Sequence, residues 1–368
     1  MAFGIWGIVF GVGLGFGPMI GGLILTVANW KWIFLIHVPI ACLALAFVVS
    51  GVQESKDPEA KGLDLPGIIF LSLAVFGLTF YITQGSGGGF TSIGGIAIIA
   101  AATACFGLFL WAEQASPHPM FDFSVFRIRP FSGALLGSMG MNFSFWPFMI
   151  YFPMYFQHAL GYGVVATGTS LLAYTLPTLL VPPLAERLVL RYRSGLVIPL
   201  GMFTIGAGFF VMSWGIGVAA ASWLTVLPGS LLAGAGLGLT NTPVTNTTTS
   251  SIPVAQAGMA SGIDMSARLI SLAVNIAIMG FVLVEGIYAE LRGAGVGAAS
   301  AHSLAERIAS GSVDSGVGGS AFSASIEPLV RPALVHGFEC VMLYAGIAVW
   351  VLAGMSFVVF GKRVRVRG

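Results

Sequence analysis

The chain has 368 residues, of which 57% are hydrophobic and only 8% are charged, and its formal net charge is +2. Soluble domains carry about 25% charged residues, so this chain cannot cover itself with a hydrated surface. We therefore predict an integral membrane protein whose main surroundings are the lipid bilayer. The small net charge argues against a nucleic-acid partner.

The apolar residues fall into ten uninterrupted runs of about 20 residues, the length that an α-helix needs to cross a bilayer. These runs are continuous rather than alternating, which predicts spanning helices and not a β-barrel. The expected fold class is an all-α polytopic membrane protein with about ten transmembrane helices. In chain order the runs cover residues 3–27, 32–52, 66–84, 93–112, 131–155, 165–184, 196–216, 223–246, 262–287 and 335–360.

The distribution of Lys and Arg predicts how these helices are oriented. Eleven of the 16 Lys and Arg residues fall on the same side of the membrane as the N-terminus, four fall on the opposite side, and Arg268 lies within a span. Three of those four lie in the long loop 288–334, where the preference for cytoplasmic positive charge is weakest. We expect a multi-pass protein of the inner or plasma membrane with both termini in the cytoplasm.

The first predicted helix carries a dense glycine pattern. Gly13, Gly17 and Gly21 recur every four residues and share one helix face, where another backbone can approach closely. Pro18 removes one backbone hydrogen bond, and Gly22 completes the pattern GxxxGPxxGG. Small residues at this spacing alone indicate only a tightly packed helix pair, but the full pattern followed by a Trp-rich turn is much more specific.

This pattern resembles the antiporter signature in the fifth helix of exporters of the major facilitator superfamily. The next segment, WKWIFLIHVPI at 30–40, is similar to the entry into the sixth helix of its fourteen-helix drug:proton antiporter family, the multidrug exporters. The resemblance covers essentially the whole chain and implies that it corresponds to helices five to fourteen, without the first four. Further similar segments follow in the family's order at 64–67, 119–127, 155–168, 234–238, 257–268 and 336–338.

The resemblance implies a division of the chain into three parts. Residues 1–53 would be the last two helices of the N-terminal bundle, 54–130 an extra helix pair with a cytoplasmic link, and 131–368 the C-terminal six-helix bundle. The outer loop 288–334 is rich in small residues, with a predicted short helix at 301–310. We expect this loop to be a flexible tether; the alternative is a docking surface for a periplasmic adaptor, as in some relatives.

Several polar and aromatic side chains are candidates to line a substrate cavity. Four recur at i, i+3, i+4 and i+7 of the fifth span, which predicts a shared helix face. Rings, a thioether and amides suit flat lipophilic ligands; the alternative is that the rings face lipid or core. Two further asparagines lie in the eighth and ninth spans, one of them where the family usually has glycine. The candidates are Asn142, Phe145, Trp146, Met149, Asn241 and Asn275.

Ionisable residues inside the membrane are costly and so are candidates for proton coupling or gating. Arg268 lies in the ninth span, and Asp264, four residues earlier, is placed to pair with it on one helix face. Glu285 and Glu339 lie near the outer ends of the last two spans. The alternatives are that Arg268 is a structural anchor and that the two glutamates are hydrated at the membrane surface.

The sequence favours a transporter over an enzyme. It lacks the phosphate-binding loop, HExxH and GxSxG motifs, and it has no intramembrane cluster of His, Asp or Glu. The resemblance implies a secondary active transporter that exports lipophilic drugs or related small molecules, with the proton gradient as energy source and no cofactor. The alternative is a truncated, non-transporting membrane module that needs a partner chain to supply the missing helices.

Overall fold

The computed structural model describes residues 2–51, 64–88, 90–116, 123–218, 220–253, 256–311 and 320–361. Within these ranges the chain is helical and has no β-strand, which confirms the all-α fold class. Part of the predicted link around residues 117–122 and the segment 52–63 lie outside the described residues.

Five helices form the N-terminal part of the chain. The fourth and fifth of them begin at capping side chains: Asp64 accepts a hydrogen bond from the Gly67 N–H (3.1 Å) and Ser92 accepts one from the Gly95 N–H (3.1 Å). These side chains satisfy N–H groups that a helix leaves without partners at its N-terminus. The helices are α1 (Ala2–Val27), α2 (Lys31–Leu35), α3 (His37–Gly51), α4 (Leu65–Gly88) and α5 (Ile93–Ala115).

The remaining helices form the larger part of the molecule. A 3₁₀ turn at Phe123–Arg127 precedes them, and a π turn at Tyr155–Ala159 interrupts them. They are α6 (Arg129–Asn142), α7 (Phe145–Met154), α8 (Val164–Ser170), α9 (Leu172–Leu180), α10 (Pro182–Tyr192), α11 (Ser194–Ile216), α12 (Trp223–Ser250), α13 (Ala257–Gly293), α14 (Ala298–Ala309) and α15 (Ser320–Phe360).

Seven helical segments among the described residues are long and apolar enough to cross a membrane, with α2 and α3 counted together as one. The segments 164–180 and 182–192, bent by 42°, add an eighth if they count as one span. Of the other predicted spans, the first coincides with α1, which has 26 residues, and the fifth is divided between α6 and α7. The chain is therefore a polytopic helical membrane protein.

Glycines allow α11 and α12 to pack closely against each other. A Cβ atom added at Gly236 would lie 2.6 Å from the Gly201 carbonyl oxygen, and one added at Gly229 would lie 2.6 Å from the Gly208 carbonyl oxygen. The two backbones touch at these points, so no side chain fits between them. This close approach of small residues is a common way for membrane helices to associate.

The predicted outer loop 288–334 is mostly helical in the structure, so its interpretation as a flexible tether is wrong for residues 298–309. The predicted short helix is present there as α14, and its apolar side chains are buried against α13. The reason lies in its pattern, because Ala301, Leu304, Ala305 and Ile308 share one helix face. The neighbouring helices also extend further than predicted, with α13 ending at Gly293 and α15 beginning at Ser320.

The glycine pattern of α1 packs differently from the prediction. α1 contacts α8 and α9, and the close approach occurs at Gly22, where an added Cβ would lie 3.3 Å from the Val164 carbonyl oxygen. Gly13, Gly17 and Gly21 have no described atom within 4 Å of that position. Their face points elsewhere because Gly22 is rotated by about 100° from Gly21 around the helix. The side chain of Pro18 lies outside the described residues.

Candidate functional site

The fifth predicted span is broken, and this break changes the expected cavity lining. α6 ends at Asn142 and α7 begins at Phe145, so the four candidates do not share one continuous helix face as predicted. Asn142 is buried, whereas 41% of Trp146 is exposed. Met149 is half-buried against the main core, and the side chain of Phe145 lies outside the described residues. Pro147 explains the break, because it has no N–H to continue the helical ladder.

A buried ion pair lies where α12 ends and α13 begins, which we call the base of the bundle. The Arg268 Nε donates to the Asp264 Oδ2 at 3.0 Å, and 15% and 10% of the two side chains are exposed. The pairing predicted from the four-residue spacing is therefore present. Both residues belong to one face of α13, so the helix itself fixes the distance between them.

The ion pair also ties α13 to two other helices. The Arg268 Nη1 donates to the Asn241 Oδ1 at 3.3 Å, and the Nη2 donates to the Thr245 hydroxyl at 3.1 Å, both on α12. On α6, the Ser138 hydroxyl donates to the Asp264 carboxylate. Hydrogen bonds to charged groups are stronger than those between neutral groups, so this network holds three helices together at the base.

Two of the predicted cavity asparagines belong to this network. Asn241 accepts from Arg268, and the amide of Asn142 donates to the Ser138 carbonyl oxygen one helical turn away (2.9 Å). Next to Asn241, the Thr242 hydroxyl is buried and has no hydrogen-bond partner among the described residues. Its unused donor is the kind of group that orients a ligand in an otherwise apolar pocket.

A second polar level lies further along α13, away from the base. Asn275 is fully buried; its amide donates to the Phe143 carbonyl oxygen at the α6–α7 break (3.0 Å) and accepts from the Tyr344 hydroxyl of α15 (3.0 Å). The Tyr151 hydroxyl of α7 donates to the Ile276 carbonyl oxygen at 2.9 Å. Asn275 therefore contacts protein groups on two neighbouring helices instead of facing an open cavity.

The polar residues of α13 form one stripe. Their spacing of four, three and four residues keeps them on a single helix face that points into the bundle. Polar groups inside a membrane bundle are stable there when they bond across helices. The stripe consists of Asp264, Arg268, Ser271 and Asn275.

The structure adds four functional candidates that sequence reasoning missed. Ser138 lies four residues before Asn142 and Thr245 four after Asn241, so helical spacing from known candidates was an available signal for both. Tyr344 and Tyr151 carried no such signal, because their partners Asn275 and Ile276 are distant in the sequence.

Glu285 and Glu339 lie far from the ion pair. Glu285 is about 32 Å from Asp264 along the axis of α13, at about 1.5 Å per residue. Glu339 packs against Gly217 at the opposite end of the bundle, and its Oε2 is 3.7 Å from the His336 Nδ1. The four charged candidates therefore form no single cluster, and only Asp264 and Arg268 are brought together.

An open cavity of about 530 Å³ lies at the end of the bundle opposite the base. Tyr162 and Trp223 supply its rings, and the Tyr162 hydroxyl accepts from the backbone N–H of Trp223 at 3.2 Å. The hydroxyls of Thr169 and Ser170 already donate to carbonyl oxygens of their own helix. No group of three His, Cys, Asp or Glu side chains among the described residues has the arrangement of a metal site.

A bundle of apolar spanning helices, with a buried ion pair on one helix that bonds to two others, is typical of polytopic membrane transport proteins. The model of the Major Facilitator Superfamily matches residues 1–275, and the chain belongs to this family. This confirms the resemblance seen in the sequence, and the family is one of transporters rather than of enzymes.

Two characterised relatives are similar to most of the chain. The multidrug resistance protein Stp of Mycobacterium tuberculosis is 30% identical over 290 residues, which are 79% of this chain and 53% of Stp. The quinolone resistance protein NorB of Staphylococcus aureus is 28% identical over 283 residues, which are 76% of this chain and 59% of NorB. The chain thus spans a little more than half the length of these relatives.

Proposed function

We propose that the chain is part of a secondary active exporter of lipophilic drugs or related small molecules, driven by proton entry. Membership in the transporter family and the names of the relatives, multidrug resistance protein and quinolone resistance protein, support the substrate class. The both-termini-inside orientation rests on the Lys and Arg distribution. The contact of segment 288–334 with a periplasmic adaptor stays a prediction.

The observation that carries proton coupling is the buried pair Asp264–Arg268, which bonds to α6 and α12 at once. Protonation of Asp264 removes the negative charge, so Arg268 loses its anion and Ser138 loses a charged acceptor. The network that joins the three helices is then weakened, while Arg268 keeps its bonds to α12. Proton uptake at this residue would therefore favour a second arrangement of the bundle.

The cost of breaking the ion pair is similar in size to the free energy that one proton releases on entering the cell. Breaking a buried ion pair costs about 3–5 kcal/mol. A membrane potential of about 100 mV supplies about 2.3 kcal/mol per elementary charge, and a pH difference of about one unit supplies about 1.4 kcal/mol more. One proton entering the cell therefore carries enough free energy to offset most of this cost.

We further propose that the substrate binds to polar side chains at the base network. Asn142 and Asn241 lie there as part of the network, and Thr242 contributes a buried hydroxyl with no partner among the described residues. A substrate that bonds to these groups would compete with the contacts that hold Arg268. Such competition links export to protonation, because both ligands act on the same side chains.

Efflux from cells that lack their own drug pumps tests the proposal. The gene, with any in-frame upstream sequence, should lower the accumulation of ethidium and of a quinolone, and a protonophore should abolish the effect. Asp264→Asn should reduce efflux at least about tenfold, since the amide carries no charge and takes up no proton. The control Glu290→Gln, an exposed acid on the same helix, should leave efflux unchanged.

Two results would overturn separate parts of the proposal. Efflux that persists in the presence of the protonophore would refute proton coupling while leaving drug export in place. Correct insertion without movement of any dye in a broad panel would refute drug export. Full activity of Asp264→Asn would show that the proton is carried by another residue.

A further inference from the structure

The break between α6 and α7 leaves a carbonyl oxygen that the helix itself cannot satisfy. In an α-helix the carbonyl of Phe143 would accept from the N–H of residue 147, and that residue is proline. An unpaired carbonyl inside a lipid-embedded bundle is costly. A donor from elsewhere in the protein is therefore required at this point.

Asn275 supplies that donor from α13. Its Nδ2 lies 3.0 Å from the Phe143 oxygen, and its side chain is fully buried. The orientation of the amide is fixed by chemistry, because its oxygen must accept the Tyr344 hydroxyl at 3.0 Å while its nitrogen faces a carbonyl. Both ends of the amide are used, and α15 holds the side chain in place.

The other side of the break is tied to the same helix. The Tyr151 hydroxyl of α7 donates to the Ile276 carbonyl oxygen of α13 (2.9 Å). A Cβ atom at Gly280 would lie 2.9 Å from this hydroxyl, so glycine leaves the room that the tyrosine needs. Consecutive residues of α13, 275 and 276, thus hold the α6 side and the α7 side of the break.

We propose that Asn275 and Tyr344 form a latch that sets the angle between α6 and α7, and that this angle changes during transport. Asn275 is a positioning residue: it holds the Phe143 carbonyl and through it the end of α6. The inference rests on the proposed transport function. In this proposal Asn275 controls a hinge that lies between the base network and the opposite end of the bundle.

The hinge connects the base network with the aromatic residues of α7, because α6, which ends at the hinge, carries contacts of the ion pair. Ser138 bonds to Asp264, and Asn142 at the end of α6 bonds back to Ser138. On the other side, Phe148 of α7 stacks on Tyr174 of α9 with 4.4 Å between ring centroids. A change in the angle at residues 143–144 therefore moves the base contacts relative to the aromatic core at the other end.

The test separates this hinge role from a purely structural one. Asn275→Ala removes the donor, and Pro147→Ala restores a backbone N–H that Phe143 can use in a straighter helix. Asn275→Ala should lower the melting temperature and reduce the maximal efflux rate at least about tenfold, with the substrate KM nearly unchanged. The double variant should regain stability but not efflux. Tyr344→Phe, which removes one hydroxyl, should show a smaller loss of the same kind.

Spin labels give a readout of the hinge that does not depend on transport. The labels are placed at the exposed positions Arg129 and Ile150, in a protein whose three native cysteines are replaced by serine. Asn275→Ala should broaden the distance distribution, and the double variant should narrow it around a different mean. The control Thr204→Ala removes a hydroxyl that bonds within α11, to the Leu200 carbonyl oxygen at 2.9 Å, and it should change neither distance nor efflux.

The outcomes are distinguishable. If efflux returns with stability in the double variant, or if Asn275→Ala leaves the label distances unchanged, the latch is refuted. If the unaltered protein shows no proton-dependent efflux, the transport proposal fails, and the label distances still show whether Asn275 sets the α6–α7 angle.

Discussion

Replacing Asp264 by alanine leaves the Arg268 guanidinium without its anion inside the bundle. The arginine side chain is 15% exposed, so water compensates for little of the loss, although Asn241 and Thr245 still accept two of its hydrogen bonds. Removing one partner of a buried pair typically costs about 3–5 kcal/mol, because the other charge stays buried. The two remaining bonds place the expected cost near the lower limit, about 3 kcal/mol.

Removing both charges should cost much less than removing either one. In Asp264→Ala/Arg268→Met no buried charge remains, and the methionine fills most of the volume of the arginine stem. Replacement of buried ion pairs by apolar residues is often close to neutral. The double variant should therefore unfold within about 1 kcal/mol of the unaltered protein, which gives a large coupling energy between the two positions.

Unfolding of the purified protein by SDS titration in mixed micelles measures these differences. Arg268→Met alone should cost less than Asp264→Ala, because a lone Asp264 can take up a proton and keep its bond to Ser138. If the two single losses simply add in the double variant, or if each is below about 0.5 kcal/mol, the pair is not the buried, coupled unit described here.

Two further predictions concern packing. Gly236→Ala should strongly reduce the folded fraction in gel filtration, since its methyl group would meet the Gly201 carbonyl oxygen, whereas Gly262→Ala, with no described atom within 4 Å, should be neutral or stabilising by up to about 1 kcal/mol. Ile308→Asp should release α14 and make the segment 294–311 sensitive to protease, because the side chain is buried; Ser303→Asp, at an exposed position of the same helix, should leave it resistant. Unchanged gel filtration of Gly236→Ala, or equal cleavage of the two aspartate variants, would contradict the packing described.

Local patterns predicted those parts of the candidate site that lie on one helix. The pair Asp264–Arg268 followed from its four-residue spacing, and α14 followed from its apolar residues. The one-face arrangement of Asn142 and Trp146 was wrong, although Pro147, which ends the helical ladder, was visible in the sequence. The prediction treated the span as continuous because length and hydropathy do not register a single missing N–H.

The sequence by itself determined the helical membrane class, the approximate positions of most spans and the family, since hydropathy and motifs are properties of short segments. Only the tertiary structure decided which polar groups on different helices meet. Ser138 reaches Asp264 across 126 residues of sequence, and Tyr344 reaches Asn275 across 69. Helical periodicity states which residues share a face, but the partner of that face depends on how distant helices pack. The base network and the latch at the α6–α7 break are both products of that packing.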